Sequence, residues 1–143
     1  MKKLPILFIV ALAIISACSG SKNMPLDKDP LLRIEDPYWF KVMPGQEDAE
    51  KFSVLILPVV AVLESYQPDS VYFRGYHEHV KLSGMDGKSV YRAQLFEKSQ
   101  NDTIKPPYDL DDDQALMSYL TSDSVKRYIL IENIIQGETI FMP

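Results

Sequence analysis

The chain has 143 residues, enough for one domain, and its 46% apolar, 24% charged and 10% aromatic residues make an ordinary globular composition. That composition excludes wholesale disorder and the collagen-like and low-complexity classes. The formal net charge of −5 argues against a nucleic-acid-binding protein, which usually presents a basic face. The single cysteine excludes an internal disulfide and any metal or iron–sulfur site built from several cysteines.

The first residues have the pattern of a secretory signal peptide. Lys2 and Lys3 form a short positive region, and residues 4–15 are almost wholly apolar, interrupted by Pro5. As a helix this stretch would span about 18 Å, too short for a bilayer core of roughly 30 Å. A signal peptide therefore fits better than a transmembrane helix.

The end of that stretch carries the most specific motif in the chain. Ile15, Ser16, Ala17 and Cys18 follow one another as an aliphatic residue, two small residues and a cysteine. This tetrapeptide resembles the lipobox of bacterial lipoproteins. The resemblance implies that residues 1–17 are removed, that Cys18 receives a covalent lipid, and that the mature chain is anchored to a membrane by its acyl chains.

The same resemblance implies a location. Ser19 follows the cysteine, and in lipoprotein sorting a serine there lets the protein pass to the outer membrane, whereas aspartate retains it at the inner one. We therefore expect a cell-envelope protein, lipid-anchored in the outer membrane and facing the periplasm. Once Cys18 is lipidated no free thiol remains, so cysteine catalysis is excluded. We expect no cofactor, and the one covalent addition expected is the lipid on Cys18.

Composition divides the mature chain into a tether and a domain. Residues 18–36 are rich in Gly, Ser, Asn, Pro and mixed charges, which predicts a flexible lipidated tether. Residues 37–143 are predicted to form a single globular domain. Leu31, Leu32 and Ile34 are apolar exceptions within the tether, and we expect them to dock on the domain or on a partner.

Three adjacent aromatic residues, Tyr38, Trp39 and Phe40, open the domain. Successive side chains of a strand alternate between its two faces, so the three cannot all point the same way. One interpretation is that they plug the edge of the core. The other is an aromatic patch that contacts a partner or the membrane, which makes all three candidate partner-binding residues.

A short helix is predicted at the acidic start of residues 46–66, because negative charge suits the first turn of a helix. We expect this helix to run to about Phe52 and to be followed by a buried strand within residues 53–66. A kinked helix through Pro58 is the alternative, since periodicity cannot settle a continuous apolar run.

Residues 70–82 and 88–98 are rich in Val, Tyr and Phe and are predicted to pair as a hairpin. The connecting residues 83–87 contain an Asp-Gly pair, a good short-range turn signal. A bulge at Gly75 would bring the apolar side chains of the first strand to one side.

The C-terminal part is predicted to hold one helix and two strands. Asp111 and Gln114 make a variant capping box, and an apolar stripe follows, which predicts a helix over residues 111–121. Residues 125–135 are predicted to form a buried strand and residues 139–142 a last short one.

These elements predict an α+β fold, an antiparallel sheet of about five strands with one or two short helices. A β-sandwich with small helical inserts is the alternative.

His77 and His79 form the single cluster with metal-binding chemistry. On a strand they face the same side, about 6.6 Å apart along the chain. A catalytic zinc site usually needs three protein ligands, and Glu97 is the conceivable third. A solvent-facing polar strand is the simpler interpretation, so we expect no metal. The run of aspartates beginning at Asp109 lacks the glycine and the final glutamate of a calcium loop.

No dinucleotide, P-loop, zinc-protease or nucleophile-elbow motif is present. We therefore expect a non-enzymatic, lipid-anchored accessory subunit of a cell-envelope assembly, bound to the membrane and to a larger envelope protein but not to nucleic acid. A periplasmic ligand-binding or immunity lipoprotein is the alternative, since an acidic mature chain suits a basic target.

Overall fold

The computed structural model describes most of the domain and part of the tether. The described residues are Leu26, Asp27, Pro30, 32–60, 65–101 and 105–143. The lipobox residues 15–18, with the predicted signal peptide and Leu31, lie outside the described residues.

Ten strands and one 3-10 turn make up the regular structure of the described residues. The strands are β1 Tyr38–Met43, β2 Phe52–Pro58, β3 Gln67–Phe73, β4 Tyr76–His79, β5 Lys81–Met85, β6 Lys88–Phe96, β7 Ala115–Leu120, β8 Lys126–Ile131, β9 Ile135–Gln136 and β10 Ile140–Phe141. The 3-10 turn, Glu97–Ser99, follows β6 directly.

The strands form two sheets. The six-stranded sheet has the order β10-β1-β2-β6-β5, and β9 also pairs with β1. It is mixed, because β9 and β10 run parallel to β1 while the other neighbours are antiparallel. The four-stranded sheet, β4-β3-β7-β8, is antiparallel throughout.

The two sheets pack face to face in a sandwich-like arrangement around one main core. Alternate residues of each strand enter it: Leu55 and Leu57 from β2, and Met117 and Tyr119 from β7. Each of these four side chains is completely buried. The residues between them face outward, which gives each sheet an inner and an outer face.

Two tight hairpins shape the middle of the chain. Arg74 and Gly75 connect β3 to β4, and Asp86 and Gly87 connect β5 to β6. All four residues have a positive φ, from 49° to 82°, as a type I′ turn requires. The Asp-Gly hairpin prediction is therefore confirmed. The predicted bulge at Gly75 is wrong, because the chain reverses there and forms a two-residue turn.

The chain passes from one sheet to the other at Val80. This residue separates β4, in the four-stranded sheet, from β5, in the six-stranded sheet. Its side chain is buried in the core, and its backbone N–H donates to the carbonyl oxygen of Asp69 at 3.2 Å. The predicted strand over residues 70–82 is thus three elements, and the turn and this corner explain why one long strand is wrong.

The sheets, not the predicted α+β architecture, define the fold. None of the described residues is in an α-helix, and among them no helix is long and apolar enough to span a membrane. The expected antiparallel pairing is present, but it extends over two sheets rather than one of about five strands. The sandwich weighed as the alternative agrees with the observed arrangement, without its helical inserts.

The predicted helix over residues 111–121 is wrong for a reason visible in β7. The capping signal forms: the backbone N–H of Asp111 donates to Oε1 of Gln114 at 3.0 Å, within a turn. From Ala115 onward the chain is extended between β3 and β8. Five consecutive residues of β7 are buried on both faces, a demand that an amphipathic helix cannot meet.

The predicted acidic helix before Phe52 is also wrong. Residues 45–49 form bends and turns, with one hydrogen bond from the N–H of Ala49 to the carbonyl oxygen of Gln46 at 3.1 Å. The strand that was expected to follow is confirmed as β2, which ends at Pro58, where a missing N–H costs least.

Part of the predicted tether belongs to the domain. Leu26 bridges to Tyr128 of β8, and Ile34 bridges to Val59 at the end of β2. Between them Leu32 is 2% exposed and lies in the main core. The hydroxyl of Tyr119 donates to the carboxylate of Asp27, and burial together with this bond raises the pKa of Tyr119. The segment before β1 therefore contacts both sheets and helps to hold them together.

Candidate functional site

The outer face of the six-stranded sheet changes character across its width. Side chains that are in register on neighbouring strands project to the same side. From β1 through β2 and β6 to β5, one row therefore reads Tyr38, Ile56, Arg92 and Lys81. Along this row the side chains change from apolar on β1 and β2 to basic on β6 and β5.

The apolar part of this outer face is a packed cluster with aromatic residues at its surface, called here the apolar patch. It consists of the buried Val42, Val54, Ile56 and Val90 with the partly buried Tyr38, Phe40, Phe52 and Met85. The rings of Tyr38 and Phe40 stack at a centroid distance of 6.3 Å. The strand alternation expected from the sequence thus places Tyr38 and Phe40 together on this face.

Two exposed isoleucines extend the apolar patch at the sheet edge. Ile135 pairs in register with Tyr38, and Ile140 pairs with Val42. Their exposed fractions are 67% and 48%. Contiguous exposed apolar surface of this kind marks interaction sites.

A cavity of about 650 Å³ lies at one end of the apolar patch. Its apolar lining includes Tyr38, whose hydroxyl donates to Sδ of Met85 at 3.4 Å. Its charged lining consists of Glu35, Asp36, Asp86 and Lys88. A large cavity with apolar walls and a few converging polar groups is the usual form of a binding site, and carboxylates outnumber cations in this one.

Trp39 lies on the opposite face of β1, in the main core, and is 6% exposed. Its indole meets the ring of Phe73 edge to face at a centroid distance of 5.9 Å. The guanidinium carbon of Arg74 lies 5.0 Å from the ring centroid, within cation–π range. Of the three candidate partner-binding aromatics, Tyr38 and Phe40 are therefore on the surface and Trp39 is not.

A second polar cluster occupies the outer face of the four-stranded sheet. A bulge at Asp69 interrupts the pairing of β3 with β7. The carboxylate of Asp69 accepts hydrogen bonds from Ser70 at 3.3 Å and Ser118 at 3.2 Å, and an ion pair from Nζ of Lys126 at 2.9 Å. The hydrogen bond and charge of Lys126 lower the pKa of Asp69.

His77 and His79 border this cluster, both exposed and on the same face of β4, as expected from the sequence. Nε2 of His77 is 3.0 Å from the hydroxyl oxygen of Ser70, and its ring stacks on Tyr72 at 4.0 Å. Partial burial, followed by the charge of Lys126, lowers the pKa of His77.

The contacts of the cluster do not have the order of a hydrolytic triad. In a triad one histidine contacts both the serine and the carboxylate, whereas here His77 contacts Ser70 and a different histidine, His79, lies 3.8 Å from the carboxylate of Asp69. Ser70 is also 3% exposed, so its hydroxyl faces β7 rather than a substrate cleft. The geometry supports a structural role in holding the bulge and the neighbouring corner.

The metal-binding hypothesis finds no third ligand. Within the described ranges, no group of three or more His, Cys, Asp or Glu residues is arranged to hold a metal ion. Glu97 lies in the 3-10 turn after β6, where it lines a different cavity with Trp39 and Arg74. The aspartates from Asp109 onward lie in an exposed loop before β7.

Sequence patterns did not indicate two of these features. Both features depend on the register between neighbouring strands. This register brings Asp69 into contact with Ser118 and places Lys81 opposite Arg92. The one local signal was Asp69 after Pro68, which is compatible with an irregular strand.

Comparisons with known proteins leave these features to be interpreted from the chain itself. No protein-family model, curated protein or solved structure matches this chain. Its function is accordingly proposed from the residues and contacts described above.

Proposed function

We propose that this protein is a non-enzymatic, lipid-anchored accessory subunit of a bacterial cell-envelope assembly, acting by protein–protein contact. The lipobox resemblance of residues 15–18 supports the anchor, and Ser19 supports the outer-membrane location. The observation that carries the contact is the apolar patch, on which Tyr38 and Phe40 are partly exposed.

The apolar patch has the composition that binding energy favours. Aromatic side chains dominate interface hot spots, because they combine a large apolar area with few rotatable bonds. Fully burying one such side chain is worth about 1.5–3 kcal/mol. Ile135 and Ile140 add apolar area beside Tyr38 and Phe40, so a partner that covers all four gains enough to offset part of the cost of association.

The charge around the cavity favours one kind of partner. Glu35, Asp36 and Asp86 line it with Lys88 as the single cation among its lining residues. Carboxylates at the rim of an apolar site attract a partner that places Lys or Arg beside an apolar side chain. We therefore propose a larger envelope protein with a basic border around its contact.

Purification of the lipidated protein from gently solubilised envelopes, with crosslinking and mass spectrometry, tests the proposal. A membrane or periplasmic partner near one-to-one is the expected result. A soluble protein at the same ratio would instead favour the inhibitor or immunity function. Recovery of the protein without a partner after crosslinking would overturn the contact hypothesis.

A matched pair of variants locates the contact. Phe40→Ser is expected to weaken recovery of the partner, because Phe40 is half-buried in the apolar patch. Leu130→Ser is the control, since Leu130 is also half-buried but lies on the outer face of the other sheet. Equal recovery with both variants, each checked for folding by urea denaturation, would place the contact elsewhere.

The anchor has its own test. Cys18→Ser removes the acceptor of the lipid, and we expect it to shift the protein from the membrane to the soluble fraction. Unchanged partitioning of this variant would refute the lipobox interpretation while leaving the contact hypothesis open to the experiment above.

A further inference from the structure

Lys81 and Arg92 form a cross-strand pair of like charges. They are directly opposite each other in the register of β5 and β6, and both are exposed on the outer face of the six-stranded sheet. Directly opposite residues on antiparallel strands have their Cβ atoms about 4.5–5.5 Å apart, and like charges there destabilise the pairing. An anion between the two cations would reverse that effect.

Within the described ranges, no carboxylate forms an ion pair with Lys81 or Arg92. The ion pairs recorded there involve His79, Lys126 and Arg127. The opposing neighbours of Arg92 in the same row are Ile56 on β2 and Lys81 on β5. In a chain of net charge −5, this is a local excess of positive charge.

Lys81 and Arg92 line a surface cavity next to Val80, where the chain passes from β4 in one sheet to β5 in the other. The cavity has a volume of about 460 Å³. The residues that line it include Glu78, Lys81, Ser83, Arg92, Gln94 and Phe96. Ser83 and Gln94 add neutral hydrogen-bond donors to the two cations, and Phe96 adds an apolar side chain.

We propose that this cavity binds a phosphate group, carried either on a lipid headgroup or on a free phosphate ester. A phosphate has several acceptor oxygens that point in different directions. Arg92 offers a fork of N–H donors, Lys81 offers a point charge from the other strand, and Gln94 offers an amide. The two oxygens of a carboxylate lie in one plane, whereas the oxygens of a phosphate are arranged tetrahedrally and suit donors that approach from two strands.

A substitution at Glu78 tests the proposal through the direction in which the affinity for phosphate changes. Glu78 lines the same cavity, and its negative charge opposes an anion there by repulsion. Glu78→Gln should therefore tighten phosphate binding, whereas Arg92→Gln and Lys81→Gln should weaken it. A gain of affinity cannot arise from misfolding, so Glu78→Gln separates the proposal from a general loss of structure.

Calorimetric titration of the full-length lipidated protein in non-ionic detergent provides the measurement. Three probes distinguish the sources: glycerol 3-phosphate for a free ester, dihexanoyl phosphatidylglycerol for an anionic lipid, and dihexanoyl phosphatidylcholine for a lipid without net charge. We expect saturable binding of at least one of the first two, weaker binding of the third, and a loss of about tenfold in Arg92→Gln.

Lys88→Gln is the matched control, because Lys88 lies on the same hairpin and its loss changes the net charge equally, but it lines the other cavity. Binding that falls equally in Lys88→Gln and Arg92→Gln would overturn the proposal, since it would reflect net charge alone. No saturable binding of either anionic probe at millimolar concentration would overturn it as well. If Arg92→Gln unfolds, the opposite responses expected of Lys81→Gln and Glu78→Gln decide.

Discussion

The hydroxyl oxygens of Ser70 and Ser118 lie 2.9 Å apart, on the two central strands of the four-stranded sheet. Both residues are buried, and Ser118 is completely inaccessible. Oγ of Ser118 also accepts from the backbone N–H of Ser70 at 3.3 Å and donates to Asp69. One hydroxyl thus serves the backbone of the neighbouring strand and the carboxylate of the bulge.

Ser118→Ala should therefore destabilise the fold more than its small change in volume suggests. It leaves Ser70 and Asp69 each short of a partner, and a buried polar group left unpaired costs about 1–3 kcal/mol. Urea denaturation measures the change in the free energy of unfolding. Ser83→Ala, in the partly exposed β5, is the control and should change stability by less than about 0.5 kcal/mol. Equal effects of both substitutions would contradict the network.

His77 should make stability fall as the pH is lowered below neutrality. An unperturbed histidine titrates near pH 6.5, but burial lowers the pKa of His77 in the folded protein. The unfolded chain then takes up a proton that the folded state resists, so stability is full above about pH 6.5 and declines as the pH falls through the folded pKa. His77→Gln should flatten this decline, measured as urea midpoints from pH 7.5 to pH 5.

His79→Gln is the matched control, since it removes the other imidazole on the same face of β4 and leaves the contacts of His77 with Ser70 and Tyr72 in place. A decline that flattens equally in both variants would not be specific to His77. Identical slopes for the unmodified protein and His77→Gln would show that folding does not perturb His77.

The sequence correctly predicted those elements that depend on interactions between residues close together in the chain. The β-branched residues of β2 and the Asp-Gly turn between β5 and β6 need only their own neighbours, and both elements form as expected. The capping signal of Asp111 and Gln114 also forms, but as a turn before a strand. Burial on both faces of β7 overrode the helical pattern, and no local pattern reports how many sheets will cover a segment.

The candidate site was predictable to the same extent. Alternation along β1 showed that Tyr38 and Phe40 must face away from Trp39, but not which side would become the core. The facing of Lys81 by Arg92 required both the turn at Asp86 and the corner at Val80. A shift of one residue would have moved these side chains to the opposite face, so the basic cavity follows from register rather than from composition.

Leu32→Ala tests whether the segment before β1 belongs to the domain. Leu32 is 2% exposed and lies in the main core, so truncation should lower the free energy of unfolding by about 2–5 kcal/mol. The adjacent Arg33 is exposed, and Arg33→Ala should change stability by less than about 0.5 kcal/mol. Urea denaturation measures the free energy of unfolding of both variants. If Leu32→Ala leaves it unchanged, the segment before β1 does not contribute to the stability of the domain.

The turn between β5 and β6 fixes the register that sets Lys81 opposite Arg92, and both of its residues, Asp86 and Gly87, have a positive φ. Gly87 has a φ of 76°, and a Cβ added there would meet no atom within 4 Å. Gly87→Ala therefore tests backbone conformation alone and should cost about 1–2 kcal/mol. Gly84 has equally open surroundings without the positive φ, so Gly84→Ala should be neutral or stabilising by up to about 1 kcal/mol. Urea midpoints that fall equally in both variants would contradict the type I′ turn.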